Sequence, residues 1–337
     1  MRFHACATSI ALAAWTTILA GACPAIAETC KPLRIVNTIQ LENVGNSDRF
    51  LVPVTINGSP KKLILDTGGV LTSLGRGTIK DLGLDTMHSN VQLNDVAGNY
   101  AFAKVLVNSF DLGALHADKI KLQVAPNILE QADGLLSTDL FLQYDVDMDF
   151  AARRLNYFSQ DHCAGKVAYW QERPVAIMPV IVANGHLVIP VKLDGKNLNA
   201  IIDTGATQSI LSLTAAKDTF GLIPDTPGLE LIATSKDNQL LKWYKHKFSR
   251  LEFGDIAVTN PDVYVMTHQS GIEDEKLSIR GALNDPLNRY GSQQFTLGMD
   301  VLKHLHLYIA FGERKLYISP AGTGESVLFK SPAAPAN

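Results

Sequence analysis

The stretch LVPVTINGSPKKLILDTGGVLTSL, residues 51–74, is written a second time as VIPVKLDGKNLNAIIDTGATQSIL, residues 188–211. Laid over each other without gaps, at an offset of 137, the two share Pro53/Pro190, Val54/Val191, Gly58/Gly195, Ile64/Ile201, Asp66/Asp203, Thr67/Thr204, Gly68/Gly205 and Leu74/Leu211. Average residue usage would give about one or two such identities, so the match records a duplication. A second block repeats at an offset of 161. Leu136-Ser-Thr-Asp139 lies over Leu297-Gly-Met-Asp300, and Phe150/Phe311, Arg153/Arg314 and Leu155/Leu316 follow. The blocks keep their order, so a whole unit is repeated in tandem. The larger second offset marks an insertion, which the polar stretch His268–Gln293 best accommodates.

Each copy reads as β-structure. Phe50–Ile56, then Asn57-Gly58, then Lys61–Leu65 predicts a hairpin, and His186–Leu193, Asp194-Gly195 and Leu198–Ile202 predict its counterpart. Asn-Gly and Asp-Gly signal a tight hairpin because both turn residues must accept positive φ. Short helices are expected at Leu74–Leu82, Leu211–Phe220, Leu140–Tyr144 and Val301–Leu305. Closing strand pairs are expected at Asp145–Phe150 with Arg154–Phe158, and at His306–Phe311 with Lys315–Ser319.

The 337 residues are 46% hydrophobic and 19% charged, a composition that folds rather than stays disordered. A net charge of −3, with no stripe of basic and aromatic residues, points away from nucleic acid. The first residues read as an export signal. Arg2 is followed by an apolar run from Ile10 to Ala20 and by the small-x-small pattern Ala25-Ile26-Ala27. The apolar core is too short for a spanning anchor. Ala20-Gly21-Ala22-Cys23 loosely resembles a lipobox and makes lipid attachment at Cys23 the minor alternative. Removal of 1–27 leaves two cysteines, Cys30 and Cys163, which are expected to pair in an oxidising compartment. The division that follows is signal peptide 1–27, N-terminal lobe 28–158, interlobe linker 159–185, C-terminal lobe 186–320 and a flexible tail 321–337.

Both copies set Asp-Thr-Gly directly after an apolar strand, at Ile64-Leu65-Asp66-Thr67-Gly68 and Ile201-Ile202-Asp203-Thr204-Gly205. One such tripeptide can mark no more than a sharp turn. Two in the same place of a duplicated unit imply that the carboxylates work together. Two neighbouring buried carboxylates cannot both ionise easily, so one keeps a proton while the other is charged. The pair then offers an acid and a base at one pH. The aspartic-protease dyad is the well-known instance of this behaviour. Gly68 and Gly205 would open the turn's N–H groups to the carboxylates. Thr67 and Thr204 would bond across to the opposite strand.

These motifs resemble the retropepsin-like aspartyl protease module, here in the tandem arrangement of a two-lobed, pepsin-like pseudodimer, over most of the chain from Phe50 to Ser319. The resemblance implies an all-β, bilobal acid-protease fold: two homologous β-barrel-like lobes with short helices and one active site between them. It implies an exported, periplasmic or secreted aspartic endopeptidase with catalytic Asp66 and Asp203, a polypeptide substrate, a monomeric state, and no cofactor or metal. In that family a later strand carries an apolar-apolar-Gly motif. Thr296-Leu297-Gly298 supplies it in the second copy, whereas Leu135-Leu136-Ser137 has Ser in place of Gly. Gly69 likewise stands where Ser, Thr or Ala is usual, while Ala206 fits. The family's flap hairpin has two candidates, Val91–Val107 and Leu229–Trp243, which make Tyr100 and Trp243 candidate substrate contacts. A second reading keeps the cleft and gives it a weak or silent dyad, so that the protein binds peptides or another extended ligand without cleaving them. His304-x-His306 lacks the partners of a metal site and is read as solvated.

Overall fold

A computed structural model describes residues 30–95, 99–128, 131–170, 175–235, 241–267 and 294–321. The export signal, the lipid-attachment alternative at Cys23, the insertion and most of the tail lie outside these residues. The described residues are mostly strand, gathered into three sheets, and the all-β, two-lobed architecture expected from the repeat is what forms.

The lobes are built alike. Phe50–Ile56 pairs antiparallel with Ser59–Leu65, and His186–Leu193 pairs in the same way with Lys196–Ile202. The turn residues Asn57, Gly58, Asp194 and Gly195 all have positive φ, as the Asn-Gly and Asp-Gly signals require. The second strand of each hairpin then runs parallel to a short later strand, Gly134–Leu136 in one lobe and Phe295–Leu297 in the other. A third short strand returns antiparallel on the far side of that partner, at Ser73–Leu74 and Ile210–Ser212. The two blocks recognised in the sequence are therefore neighbours in space. Leu63, Ile64 and Leu65 are all buried, because Leu63 and Leu65 enter the main core while Ile64 packs with Val44 and Leu51 on the other face. Burying such a side chain is worth about 1.5–3 kcal/mol, enough to pin the strand that ends at Asp66.

The third sheet joins the lobes. Its order is Ile35–Gln40, Arg154–Phe158, Asp145–Asp149, Leu305–Ala310, Lys315–Pro320 and Ala176–Pro179. Three strands come from each half of the chain, and the halves meet where Asp145–Asp149 pairs antiparallel with Leu305–Ala310.

Several local expectations are corrected. The helices are shorter than expected: Arg76–Asp81, Leu213–Phe220 and Met299–Leu302. At Leu140–Tyr144 only a 3-10 turn over Thr138–Leu140 forms, because the chain must bend at once into Asp145–Asp149. The stretch 159–185 is more than a linker, since Ala176–Pro179 adds an edge to the joining sheet and Ile181–Ala183 pairs with His186–Leu193. His306 is buried rather than solvated, with Nε2 2.5 Å from Asp147 Oδ1 and its ring stacked on Trp170 at 4.1 Å.

Cys30 and Cys163 are bonded, with Cα atoms 4.7 Å apart and a separation of 133 in sequence. The bridge fastens the start of the described chain to the segment crossing behind the joining sheet, where Lys31 N also donates to Asp161 O and Cys163 N to Lys31 O. Closing a loop of that length restricts the unfolded chain by about 5 kcal/mol in the entropic account. Replacing Cys163 with Ser, or reducing the bridge, is expected to lower stability by about 2–5 kcal/mol. Denaturant titration with and without reductant checks this; an unchanged midpoint would show the bridge to be energetically idle.

Candidate active site

Asp66 and Asp203 stand at the ends of equivalent strands. Each is held by the neighbouring parallel strand: Asp66 N donates to Leu136 O at 2.9 Å, and Asp203 N to Leu297 O at 3.0 Å. The threonines that follow cross the gap between lobes. Thr67 Oγ1 donates to Ile202 O at 2.7 Å and accepts from Thr204 N at 3.1 Å. Thr204 Oγ1 donates to Leu65 O at 2.8 Å and accepts from Thr67 N at 3.0 Å. Both threonines are buried, so these four bonds are shielded from competing water.

This network sets the two carboxyls beside each other, close enough for each to act on the other's ionisation. Glycine is required on both sides by this approach. A Cβ on Gly205 would lie 2.7 Å from Asp66 Cγ, and one on Gly68 would overlap the Asp203 carboxyl. The turn's N–H groups point inward: Gly69 N donates to Asp66 Oδ1 at 2.9 Å, and Gly205 N and Ala206 N to Asp203 Oδ1 at 2.9 and 3.0 Å.

The second sequence block tethers each turn. Asp139 accepts from Thr72 N at 2.9 Å and from Thr72 Oγ1 at 2.7 Å. Asp300 accepts from Ser209 N at 2.9 Å and from Ser209 Oγ at 2.7 Å. Thr72 and Ser209 in turn accept from Ser137 N and Gly298 N at 3.1 Å each. The duplicated acid is thus a brace for the chain leaving the turn.

Burial raises the pKa of Asp66, and the charge of Asp203 raises it further, against the lowering effect of the Gly69 N–H. Burial likewise raises Asp203, opposed by the N–H groups of Ala206 and Gly205. Two neighbouring groups whose ionised forms are both disfavoured hold one proton between them over a wide pH range.

Two residues beside the dyad are not singled out by the sequence motifs. Arg49 Nη1 reaches Gly205 O at 3.5 Å and Nε reaches Ser47 Oγ at 3.2 Å. Burial lowers the Arg49 pKa, while the charges of Asp66 and Asp203 support its cationic form. His186 lies beside the Gly68 backbone; burial lowers its pKa, and Nδ1 has no partner among the described residues. The offset of 137 that aligns the aspartates also aligns Arg49 with His186, so each lobe sends the same position toward the other lobe's turn. That correspondence is the signal by which the sequence could have found them.

The candidate substrate contacts sit on hairpins. Tyr100 begins the strand Tyr100–Leu112, is 64% exposed and meets Phe102 edge to face. Trp243 is half-buried on Lys242–Lys247, between Leu229–Thr234 and Asp262–Met266. The hairpin tips, 96–98 and 236–240, fall outside the described residues. Among the described residues no group of three or more His, Cys, Asp or Glu is placed to hold a metal ion.

A family model described as "Aspartyl protease" matches this chain over residues 52–140 and 189–301, which is more than half of it and takes in both repeats. No curated protein matches the chain.

Two outcomes follow from this geometry. Thr67→Val or Thr204→Val leaves a buried carbonyl without its donor and is expected to cost about 1–3 kcal/mol, measured by denaturant unfolding. Asp66→Asn and Asp203→Asn are expected to raise stability at neutral pH. The unfolded aspartates ionise near the ordinary value while the native pair stays partly protonated, so native stability falls as pH rises through that window. Thermal scans at pH 4 and pH 7 should show the stabilisation mainly at the higher pH; an equal effect at both would contradict the sign.

Proposed function

We propose that this chain, which belongs to the aspartyl protease family, hydrolyses peptide bonds with a water activated between Asp66 and Asp203. The observation that carries the reading is the pair of half-buried, neighbouring carboxyls contributed one from each half of a duplicated chain. Bringing two carboxyls together away from water costs stability, as the raised pKa values express, and hydrolysis is the chemistry that makes use of it.

The sequence of steps conserves the shared proton. The ionised aspartate takes a proton from water as the water oxygen attacks the peptide carbonyl carbon. The neutral aspartate gives its proton to the carbonyl oxygen, and a tetrahedral diol forms. The first aspartate then passes its proton to the amide nitrogen while a diol proton returns to the other. The C–N bond breaks, and amine and carboxylic acid leave. The dyad ends with one proton, as it began.

The chain carries both aspartates, so a monomer suffices. Peptide binds in extended form between the lobes, with Tyr100 and Trp243 on the hairpins that cover it. Export accords with the disulfide. Among the described residues no helix is long and apolar enough to cross a membrane.

The test is hydrolysis of a peptide library from pH 3 to 8 by the purified chain, with Asp66→Asn and Asp203→Asn alongside. Cleavage is expected with a bell-shaped pH dependence, and its loss in both variants by at least about a thousandfold, on the order of removing an essential catalytic group. A folded wild-type chain that cleaves nothing at any pH would leave only ligand binding for the cleft.

A further inference from the structure

Ser137 breaks the repeat beside the dyad. It takes the place that Gly298 holds in the second lobe, and Gly69 takes the place of Ala206. The two departures are coupled in space. A Cβ added to Gly69 would run into Ser137 Oγ and lie 2.9 Å from Asp66 Oδ2. In the first lobe the space beside Gly69 is thus taken by the Ser137 hydroxyl, which comes from the neighbouring strand. In the second lobe a Cβ on Gly298 would run into the Gln208 backbone, so no hydroxyl can enter from that position.

The Ser137 hydroxyl is fully buried and has no hydrogen-bond partner among the described residues. Leaving a buried hydroxyl unpaired costs about 1–3 kcal/mol, which an alanine would avoid. Ser137 Oγ and Asp66 Oδ2 face one another across the space that a side chain at 69 would occupy. Asp66 Oδ1 already accepts from Gly69 N. In the second lobe neither Ala206 nor Gly298 can donate a side-chain proton to Asp203, and Ser209 Oγ is engaged by Asp300 and Gly298 N.

We propose that Ser137 is a positioning residue for the hydrolysis assigned to the dyad. Its hydroxyl donates to Asp66 Oδ2 across the gap left by Gly69, directly or through one bridging water, and so favours charge on Asp66, against the neighbouring Asp203 charge that disfavours it. The charged and titratable groups around Asp66 are Asp203 opposite and Arg49, with His186 beside the Gly68 backbone. Arg49 acts on both aspartates, whereas Ser137 is on the Asp66 side alone. A donated hydrogen bond favours the charged carboxylate, so removing it raises the pKa of Asp66.

The inference rests on the dyad reading, and its test needs no turnover. Carboxyl carbon NMR titration of the full chain follows Asp66 and Asp203 in wild type, Ser137→Ala, Ser137→Gly and the exchange variant Gly69→Ser/Ser137→Gly. Loss of the hydroxyl in either single variant is expected to move the ionisation of the Asp66 carboxyl upward by about one pH unit, the size of one hydrogen bond to a charged group. The exchange variant returns a hydroxyl from the other strand and should restore the wild-type titration. Where peptide is cleaved, the acid limb of kcat/KM should move with the titration, giving an approximately tenfold loss on the acid side and little change in KM.

A packing role alone predicts the reverse pattern. Ser137→Ala would then titrate as wild type and unfold at higher temperature, having lost only an unpaired oxygen; that result overturns the proposal. A shift in Ser137→Ala that the exchange variant fails to restore also overturns it, because the position rather than the hydroxyl would be responsible. A wild type that titrates as expected yet cleaves nothing would count against the hydrolysis and not against Ser137.

Discussion

Four hydrogen bonds between Thr67 and Thr204 and the strands facing them decide whether this molecule has one site or two unrelated turns. Each hydroxyl spans the lobe boundary to a carbonyl one residue before the opposite aspartate and accepts from the opposite threonine's N–H. The arrangement is reciprocal, so neither lobe can shift along the boundary without breaking bonds on both sides. Because the threonines adjoin the aspartates, the separation of the carboxyls is fixed by backbone geometry rather than by flexible side chains. Preorganisation of this kind matters because a displacement of about 1 Å at the reacting groups can cost roughly a hundredfold in rate.

A boundary held only at the dyad would still hinge, and the joining sheet removes that freedom. Strands Asp145–Asp149 and Leu305–Ala310 pair directly, so the backbone ladder is continuous from one lobe into the other. Val146 and Met148 face the main core, while Asp145 and Asp147 on the alternate face are also buried. Those carboxylates are matched: Asp145 by His162 at 2.5 Å and Phe311 N at 2.9 Å, and Asp147 by His306, Tyr169 and Asn156. His162 belongs to the segment that crosses between lobes, next to the bridged Cys163, and His306 to the second lobe. The polar cluster therefore ties the first lobe to the crossing segment and to its twin. Buried ionic groups of this sort do little for net stability, yet they penalise any arrangement that leaves one member alone.

The sequence conveys the dyad better than its setting. Asp66, Asp203, both glycines and both threonines are readable because duplication places each in a matched context. The hairpins are readable because Asn57-Gly58 and Asp194-Gly195 declare a turn locally. The Cys30–Cys163 bridge is readable because only two cysteines lie beyond residue 27. What resists reading depends on partners far away in sequence. His306 reads as solvated beside a short helix, but its partner Asp147 lies 159 positions earlier. The stretch 159–185 reads as a linker because its two strands are short and take their partners from other segments. Residues 140–144 read as helical by composition, but the tight entry into Asp145–Asp149 leaves only a 3-10 turn ahead of them, over Thr138–Leu140. Local pattern reports the period of an element and not the identity of what covers it.

Duplication inside one chain also frees the two halves to differ, and around the dyad they do. Positions 49 and 186 correspond, yet one is a guanidinium and the other an imidazole whose neutral form burial favours. Positions 137 and 298 correspond, yet one carries a hydroxyl and the other nothing. These differences lie beside a framework that is otherwise closely repeated, from the strand carbonyls that hold Asp66 and Asp203 to the braces at Asp139 and Asp300. The chemistry explains why difference belongs there and not in the framework. Two carboxyls in identical surroundings share a proton equally, so that neither is fixed as the acid or the base. Surroundings that favour charge on one side remove that ambiguity without moving an atom of the backbone. The repeated framework supplies the position of the pair, and the unrepeated residues supply its polarity.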